Sequence, residues 1–371
     1  MLRLCVVNPF ESEGGAEYQI SLLIDALAAR TRWEIHYLTH FVADEKKARN
    51  YQVSRIGSGG RVPRFGYVME AAALYRKLRE IGPAVIYQRV ACGYTGVCAY
   101  YSRKRSVPLI WHVAHDTDVT SQLLDSGRNI LRLRLEKEAV KYGARNATAI
   151  VVQTGVQAEL LQKNYGRQAT AVIPNFQPCA SEVIDKSGPL TIVWIANFKR
   201  WKRPEVFVRL ARHFDTRADV RFVMVGAAAQ GSGDASWQKS LMDSIQGTAH
   251  LQYWGKRSQA DVNELLGRAH ILVNTSVHEG FPNTFIQAWM REVAVVSLSV
   301  DPDGVLQRER IGIAAHSEEG LVAAIRCLVE EPELLATYAK CGRNYAALNH
   351  SLRNADRLAS LIESYALGGC G

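Results

Sequence analysis

The chain has 371 residues, 47% of them hydrophobic and 22% charged. That length suits two domains of roughly 150–200 residues better than one, and the composition excludes a disordered chain. The net charge of +9 is unevenly placed: residues 1–172 hold 24 Lys/Arg against 15 Asp/Glu, while residues 173–371 hold 21 of each. The first half is therefore expected to face something anionic, such as a phospholipid surface, a lipid pyrophosphate or nucleic acid.

MLRLCVVNPF runs straight into a short apolar strand and lacks the long apolar core of a signal peptide. No stretch approaches the ~18 uninterrupted apolar residues of a membrane span. The expectation is a cytoplasmic protein. The cysteines are Cys5, Cys92, Cys98, Cys179, Cys327, Cys341 and Cys370. Their odd number, irregular spacing and lack of a CxxC pair argue against a disulfide framework or a zinc site.

Taken in order, LRLCVVN at 2–8 reads as a buried parallel strand, followed by a turn at Gly14–Gly15. EYQISLLIDALAAR then places Ile20, Leu23, Ile24 and Leu27 on one helical stripe. EIHYLTH is the next strand. A helix over 68–80, a strand at 84–88, a helix over 93–103 and a strand PLIWHVAH at 108–115 continue the pattern. A long helix over 128–146, strand TAIVVQ, helix GVQAELLQKNYG and strand TAVIPN end the half. The domain spans 1–175.

Residues 176–189 lack periodicity, hold two prolines and read as a linker. A second series covers 190–350: strand LTIVWIA, helix PEVFVRLARHF opened by Pro204, strands VRFVMVG and HLQYWG, and helix SQADVNELLGRA capped near Ser258 or Asp261. Strand AHILVNTS, helix TFIQAWMRE, strand VAVVSLSV and helices over 318–330 and 332–346 follow. A last helix within 351–371 is expected to pack back toward the first domain. Alternation at this spacing defines an α/β chain of two doubly wound parallel sheets, with ligands at the strands' carboxyl ends and an interdomain cleft as the site.

The most informative stretch is SVHEGFPNTFIQAWMRE at 276–292. A strand enters a loop with Glu279, Gly280 and Pro282, then a helix whose first N–H groups and dipole suit a phosphate. Gly280 would let a ligand approach the backbone. Gln287, eight residues past Glu279, has the chemistry to bond ribose hydroxyls.

This stretch resembles the signature of glycosyltransferase family 4, which has the GT-B fold of two Rossmann-like domains facing a cleft. The signature is Glu-Gly-Phe-(Gly/Pro), a few residues, then Glu-Ala opening a helix. HEGFPNTFIQAW matches it except at Gln287, where the family has its second glutamate. The resemblance extends along nearly the whole chain, through VVNPFESEGGAE, PLIWHVAHD, AIVVQTGVQAELL with VIPNF, and LQYWG…DVNELLGRAHILVNTSVHEGFPN.

The resemblance implies roles position by position. Glu279 matches the glutamate beside the transferred sugar, and Gly280, Phe281, Asn283 and Thr284 match the loop that supports sugar and diphosphate. Gln287 matches the ribose-binding glutamate; its amide still accepts a hydrogen bond but carries no charge. Lys202 matches the lysine that meets the donor phosphates. Asn197 stands where the family has arginine, leaving Lys199, Arg200 and Arg203 as candidates for that charge. His115 matches the histidine that contacts the sugar near the transfer point, and Gly14 and Gly15 match the loop near diphosphate and acceptor. His112, three residues earlier, is read as structural.

The implied chemistry retains anomeric configuration, by front-face attack with the leaving phosphate helping to take the acceptor proton. It needs no cofactor; a UDP- or GDP-sugar is substrate. Fixed N–H groups and cations stabilise the leaving diphosphate without a metal, and the DPD at 301–303 reads as a turn.

Arg134, Lys137, Lys141 and Arg145 fall along one face of the 128–146 helix. With Arg61 and Arg64, beside Phe65 and Tyr67, they are expected to touch anionic lipid on the inner membrane face. No nucleic-acid motif is present. The leading reading is a transferase that elongates a glycan or lipid-linked saccharide in cell-surface polysaccharide or glycoconjugate synthesis. A nucleotide-sugar epimerase and a non-catalytic sugar-nucleotide-binding protein are the alternatives, the latter prompted by Gln287 and Asn197.

Overall fold

The computed structural model describes residues 1–368 except 12–13, 31, 43–48, 58–62, 121–129, 181–185 and 228–234. The chain divides into two compact units, Met1–Phe176 with Leu352–Gly371, and Gln177–Ser351.

The first unit holds strands β1 (Leu2–Val7), β2 (Trp33–Thr39), β3 (Gln52–Arg55), β4 (Val85–Arg89), β5 (Leu109–His112), β6 (Ala149–Val152) and β7 (Ala171–Val172). Its helices are α1 (Gly15–Ala28), α2 (Ala71–Ile81), α3 (Gly93–Arg105), α4 (Ile130–Asn146) and α5 (Gly155–Tyr165). The sheet order is β3-β2-β1-β4-β5-β6-β7, with all pairs parallel. The apolar runs explain the sheet: Leu4–Val7 and Ile150–Val152 are buried on both faces, as a sheet covered by helices requires. On α1 the stripe of Ile20, Leu23, Ile24 and Leu27 is fully covered. Close contact between α3 and α4 depends on glycine: a Cβ on Gly96 would lie 2.7 Å from the Ala139 carbonyl oxygen, and one on Gly143 would strike Thr95.

The strand expected to reach residue 115 stops at His112. Val113 N–H still bonds Val151 O at 2.9 Å. Beyond it the Asp118 carboxylate takes the N–H groups of Ala114 (2.9 Å) and His115 (3.2 Å), which turns the chain out of the sheet. Edge strand β3 was not anticipated: Gln52–Arg55 is polar and half-exposed, without the alternation that marks a strand.

The second unit holds β8 (Leu190–Ile195), β9 (Val220–Val225), β10 (Leu251–Tyr253), β11 (Ile271–Asn274), β12 (Ala294–Ser297) and β13 (Gly312–Ala314). Its helices are α6 (Pro204–Arg212), α7 (Ala235–Gln246), α8 (Gln259–Arg268), α9 (Asn283–Trp289), α10 (Val305–Arg308), α11 (Glu318–Glu330) and α12 (Pro332–Asn349). The order is β10-β9-β8-β11-β12-β13, again all parallel. Strand order therefore reverses between β8 and β11, as it does between β1 and β4 in the first unit. Such switch points open a crevice at the strands' carboxyl ends.

Local signals set the helix ends. Pro204 occupies the first turn of α6. Ser258 caps α8 by accepting Asp261 N–H, and Asp261 returns the bond to Ser258 N–H. Helix α9 ends at Trp289, short of the expected 292, because Glu292 turns to φ 55° to start β12. Trp289 lies wholly buried against Phe285 and Tyr345, with its indole N–H bonded to Ile311 O at 3.0 Å. Burying a side chain of this size contributes about 3 kcal/mol.

After α12 the chain returns to the first unit as α13 (Arg353–Gly368). Leu358, Ala359 and Ile362 join the core beneath α1. Arg30, just past the C-terminal end of α1, pairs with Asp356 (3.1 Å) and Glu363 (2.9 Å). Among the described residues no helix is long and apolar enough to cross a membrane.

Candidate functional site

In the second unit the switch point brings together the loops after β8 and β11. The β8 loop closes in a 3-10 turn, Arg200–Lys202. Thr275 locks it to the β11 loop: its hydroxyl donates to Lys202 O at 2.6 Å and accepts the Trp194 indole N–H at 2.8 Å. Val277 N–H adds a bond to Trp201 O at 2.8 Å. Two loops distant in sequence thus form one rigid rim.

On that rim Lys202 Nζ lies 2.5 Å from Glu279 Oε1. The same oxygen accepts from the Ser276 hydroxyl (2.6 Å) and the Asn274 amide (3.2 Å). Both ionic side chains are largely covered, 19% and 14% exposed. Burial pushes the Glu279 carboxyl up, but the Lys202 ammonium and the three hydrogen bonds outweigh it, so its pKa sits below the ordinary carboxylate value. Every partner converges on Oε1; among the described residues none is paired with Oε2.

The remaining expected residues of this unit divide by position. Gly280 is buried in the loop, and Asn283 and Thr284 are half-buried at the start of α9. Phe281 turns inward: its ring packs on His350 at 4.3 Å and on Trp289 at 6.1 Å, so it anchors the loop from beneath. Gln287 is 3% exposed and donates to Gln259 Oε1 (2.8 Å) and Asn263 Oδ1 (3.1 Å) on α8. Asn197 is exposed in the β8 loop. Of the cations near it, Arg203 is engaged by Glu318 at 2.7 Å and Arg200 lies over Trp237. Lys199 lies 4.8 Å over Trp201, which stacks on His278 beside Glu279.

In the first unit His115 caps a 3-10 turn, Asp116–Asp118. Its Nδ1 accepts the Thr117 backbone N–H at 3.2 Å, so the neutral ring carries its proton on Nε2. Burial raises the Asp118 carboxyl to about 6 despite the backbone N–H groups it accepts. Gly14 precedes α1 in extended conformation, and a Cβ there would lie 2.5 Å from the Glu17 carboxylate; Gly15 is the first residue of the helix. Nearby in sequence, Glu11 accepts from Arg49 (2.6 and 3.0 Å) and Tyr51 (2.8 Å). His112 is fully buried, bonded through Nδ1 to Tyr87 and Arg89.

Arg64 is exposed, and its loop meets α4: a Cβ on Gly66 would collide with Glu136, whose carboxylate accepts Val68 N–H. Arg134 and Arg145 are exposed on α4, and Lys137 and Lys141 half-exposed, with Lys141 3.7 Å from Glu138. Beside them stand Met69, Ile130, Leu131 and Leu135, 40–63% exposed. Arg61 lies outside the described residues, as does part of the 176–189 linker. Among the described residues no three His, Cys, Asp or Glu side chains cluster as metal ligands, and the DPD stretch forms a 3-10 turn, Pro302–Gly304.

Sequence reading missed Asn274, Ser276, Gln259, Asn263 and Glu11. Asn274 and Ser276 were legible in principle, since they alternate with Thr275 along the strand's exit toward Glu279. Nothing in the sequence relates Gln259 to Gln287.

Two Rossmann-like units, each with a parallel sheet and its own switch point, are the architecture of the GT-B class. The family model described as Glycosyltransferase Family 4 matches residues 13–178, and that described as Glycosyl transferases group 1 matches residues 189–331. The chain belongs to the family 4, group 1 glycosyltransferases. Its fold is similar to that of sucrose-phosphate synthase from Thermosynechococcus elongatus (TM-score 0.80, 16% identity, 98% of this chain and 99% of that one). HepE from Anabaena, solved with UDP and glucose, is also similar (TM-score 0.78, 17% identity, 98% and 100%). So is WaaG, a glycosyltransferase involved in lipopolysaccharide biosynthesis (TM-score 0.78, 13% identity, 97% and 99%). Among curated proteins, Glycosyltransferase 1 domain-containing protein 1 of Xenopus tropicalis is 23% identical over 169 residues, 45% of this chain. That match spans about half the length of the relative, 48%.

Proposed function

We propose that this chain is a retaining, metal-independent glycosyltransferase that moves a hexose from a nucleoside-diphosphate sugar to a glycan or lipid-linked saccharide. The observation that carries the proposal is the Lys202–Glu279 pair at the switch point of the second unit. A largely covered lysine held at a phosphate-binding edge is a cation in waiting. When a donor diphosphate enters, Lys202 exchanges one anionic partner for another, and Glu279 turns to the sugar. The likeness to HepE, a protein solved with UDP and glucose, supports a nucleotide-sugar donor.

In this reading the loop Gly280–Thr284 lends backbone N–H groups to the diphosphate, joined by Lys202 and Lys199. These fixed charges stabilise the leaving group without reorganisation. Gln287 takes the ribose. His115 offers Nε2–H to the sugar, and Gly14 and Gly15 leave space for diphosphate and acceptor. The leaving phosphate assists removal of the acceptor proton as the new glycosidic bond forms on the same face, which preserves configuration.

The acceptor side is proposed to lie at an anionic membrane surface. Exposed Ile130, Leu131 and Leu135 beside Arg134, Lys137 and Lys141 support this, as does the +9 excess confined to residues 1–172. The test is incubation of the whole protein with UDP-, GDP- and ADP-hexoses and a lipid-linked saccharide extract, with EDTA present. Mass increase of an acceptor by one hexose, with an α-linked product from an α-linked donor, is expected. An inverted product refutes the retaining mechanism, and free-sugar epimers without acceptor refute the transfer.

A further inference from the structure

The nucleoside end of the proposed donor site contains three amide side chains that meet. Gln287 on α9 is almost wholly buried, and its Nε2 donates both to Gln259 Oε1 (2.8 Å) and to Asn263 Oδ1 (3.1 Å). Gln259 and Asn263 stand one turn apart on the first turns of α8, and the Ser258–Asp261 capping box holds that end of the helix.

A primary amide has two N–H donors and one carbonyl acceptor. On Gln287 both donors are spent on α8. Among the described residues nothing is paired with its Oε1. The side chain is therefore left with one function to show a ligand, a neutral acceptor oxygen. In this arrangement α8 presents two carbonyl oxygens, which an amide meets directly and a carboxylate would meet only with both α8 amides turned over.

Resting on the reading that Gln287 faces a ribose, we propose that Gln259 and Asn263 are positioning residues for nucleotide recognition. They hold the Gln287 amide with its N–H groups inward, so that Oε1 accepts a ribose hydroxyl. The site thereby selects ribose over deoxyribose without a charge, and this selection does not weaken with salt as an ionic contact would.

The test uses calorimetric titration of the full chain with UDP, GDP and ADP, then with the 2′-deoxy and 3′-deoxy forms of the tightest binder. The unaltered protein should prefer the ribonucleotide over one deoxy form by about tenfold, the worth of one hydrogen bond that leaves a buried acceptor unmet. In Gln259→Leu with Asn263→Leu that ratio should fall severalfold, because Oε1 is no longer held toward the ribose and the Nε2 donors lose their partners. In Gln259→Glu with Asn263→Asp it should persist, since a carboxylate still accepts from Nε2. The ratio cancels any uniform loss of affinity from the added charge.

A leucine variant that keeps the full preference overturns the proposal. So does a carboxylate variant that loses it as leucine does, because the α8 amides would then be donors to Gln287. If the deoxy forms bind the unaltered protein as tightly as the ribonucleotide, the positioning role falls and the donor site stands. If no nucleotide binds, the donor-site reading falls and the positioning role with it.

Discussion

Lys202 and Glu279 lie 77 positions apart in the chain and 2.5 Å apart in space, paired across the two central strands of the second sheet. The pairing is enforced from below by Thr275, which bonds Lys202 O and Trp194. The loop that carries Glu279 and the loop that carries Lys202 are therefore tied together.

Removing Lys202 strands a buried carboxylate. Lys202→Ala should destabilise the second unit by about 2 kcal/mol, and Lys202→Ala with Glu279→Gln by less than the sum of the two changes. Thermal unfolding of the four proteins checks this. Additive losses would mean that the pair is not coupled.

Glu279 also sets a pH response. Its folded pKa lies below the ordinary carboxylate value. Its contribution is thus present above the unfolded pKa of about 4.3 and lost as pH falls through the lower folded value. In Lys202→Ala the main lowering charge is gone, so the acid limb of the melting profile should move to higher pH. An unmoved limb would assign the lowering to Ser276 and Asn274.

Asp118 titrates in the opposite sense. Burial raises it to about 6, so its protonated form favours the folded state; that stability is full below the unfolded pKa and is lost as pH rises through about 6. Asp118→Asn keeps an acceptor for Ala114 and His115 N–H and removes the titration. The slope of melting temperature between pH 4 and pH 6.5 should flatten in this variant. An unchanged slope would place the titrating group elsewhere.

His115→Ala should lower kcat about a hundredfold, the scale for one lost donor at a developing charge, with little change in nucleotide affinity. A variant that loses nucleotide binding instead would assign the ring to the donor phosphates.

Charge reversal on α4, Arg134→Glu with Lys141→Glu, should abolish sedimentation with anionic vesicles and leave any sedimentation with neutral vesicles unchanged. Each cation is worth about 1 kcal/mol at such a surface, and the effect should fade in high salt. Equal binding of both proteins to anionic vesicles would remove the membrane from the account.

Much of this was legible in the sequence because buried parallel strands announce themselves as apolar runs and the site loops follow them. The Glu279 loop and the two sheets were readable in that way, whereas Lys202 stood out only through the family resemblance. Strand β13 (Gly312–Ala314) and helix α7 were not, the first because three residues carry no period, the second because Ala235–Gln246 buries only Leu241 and Ile245. The partners of the site residues were hidden for another reason. Gln259 and Asn263 meet Gln287 only because α8 and α9 flank one sheet, and the bond from Asn274 to Glu279 depends on how the strand ends. His115 sits in the expected stretch but outside the strand, because Asp118, which carries no periodic signal, pulls the backbone away.

The second unit is proposed to hold a nucleoside diphosphate through Lys202. Calorimetric titration with UDP, GDP and ADP at low salt tests it most directly, with Lys202→Ala and Glu279→Ala beside the unaltered protein. Saturable binding of one nucleotide, weakened about tenfold or more in Lys202→Ala, is the predicted result. Folded, unaltered protein that binds none of the three would contradict the account.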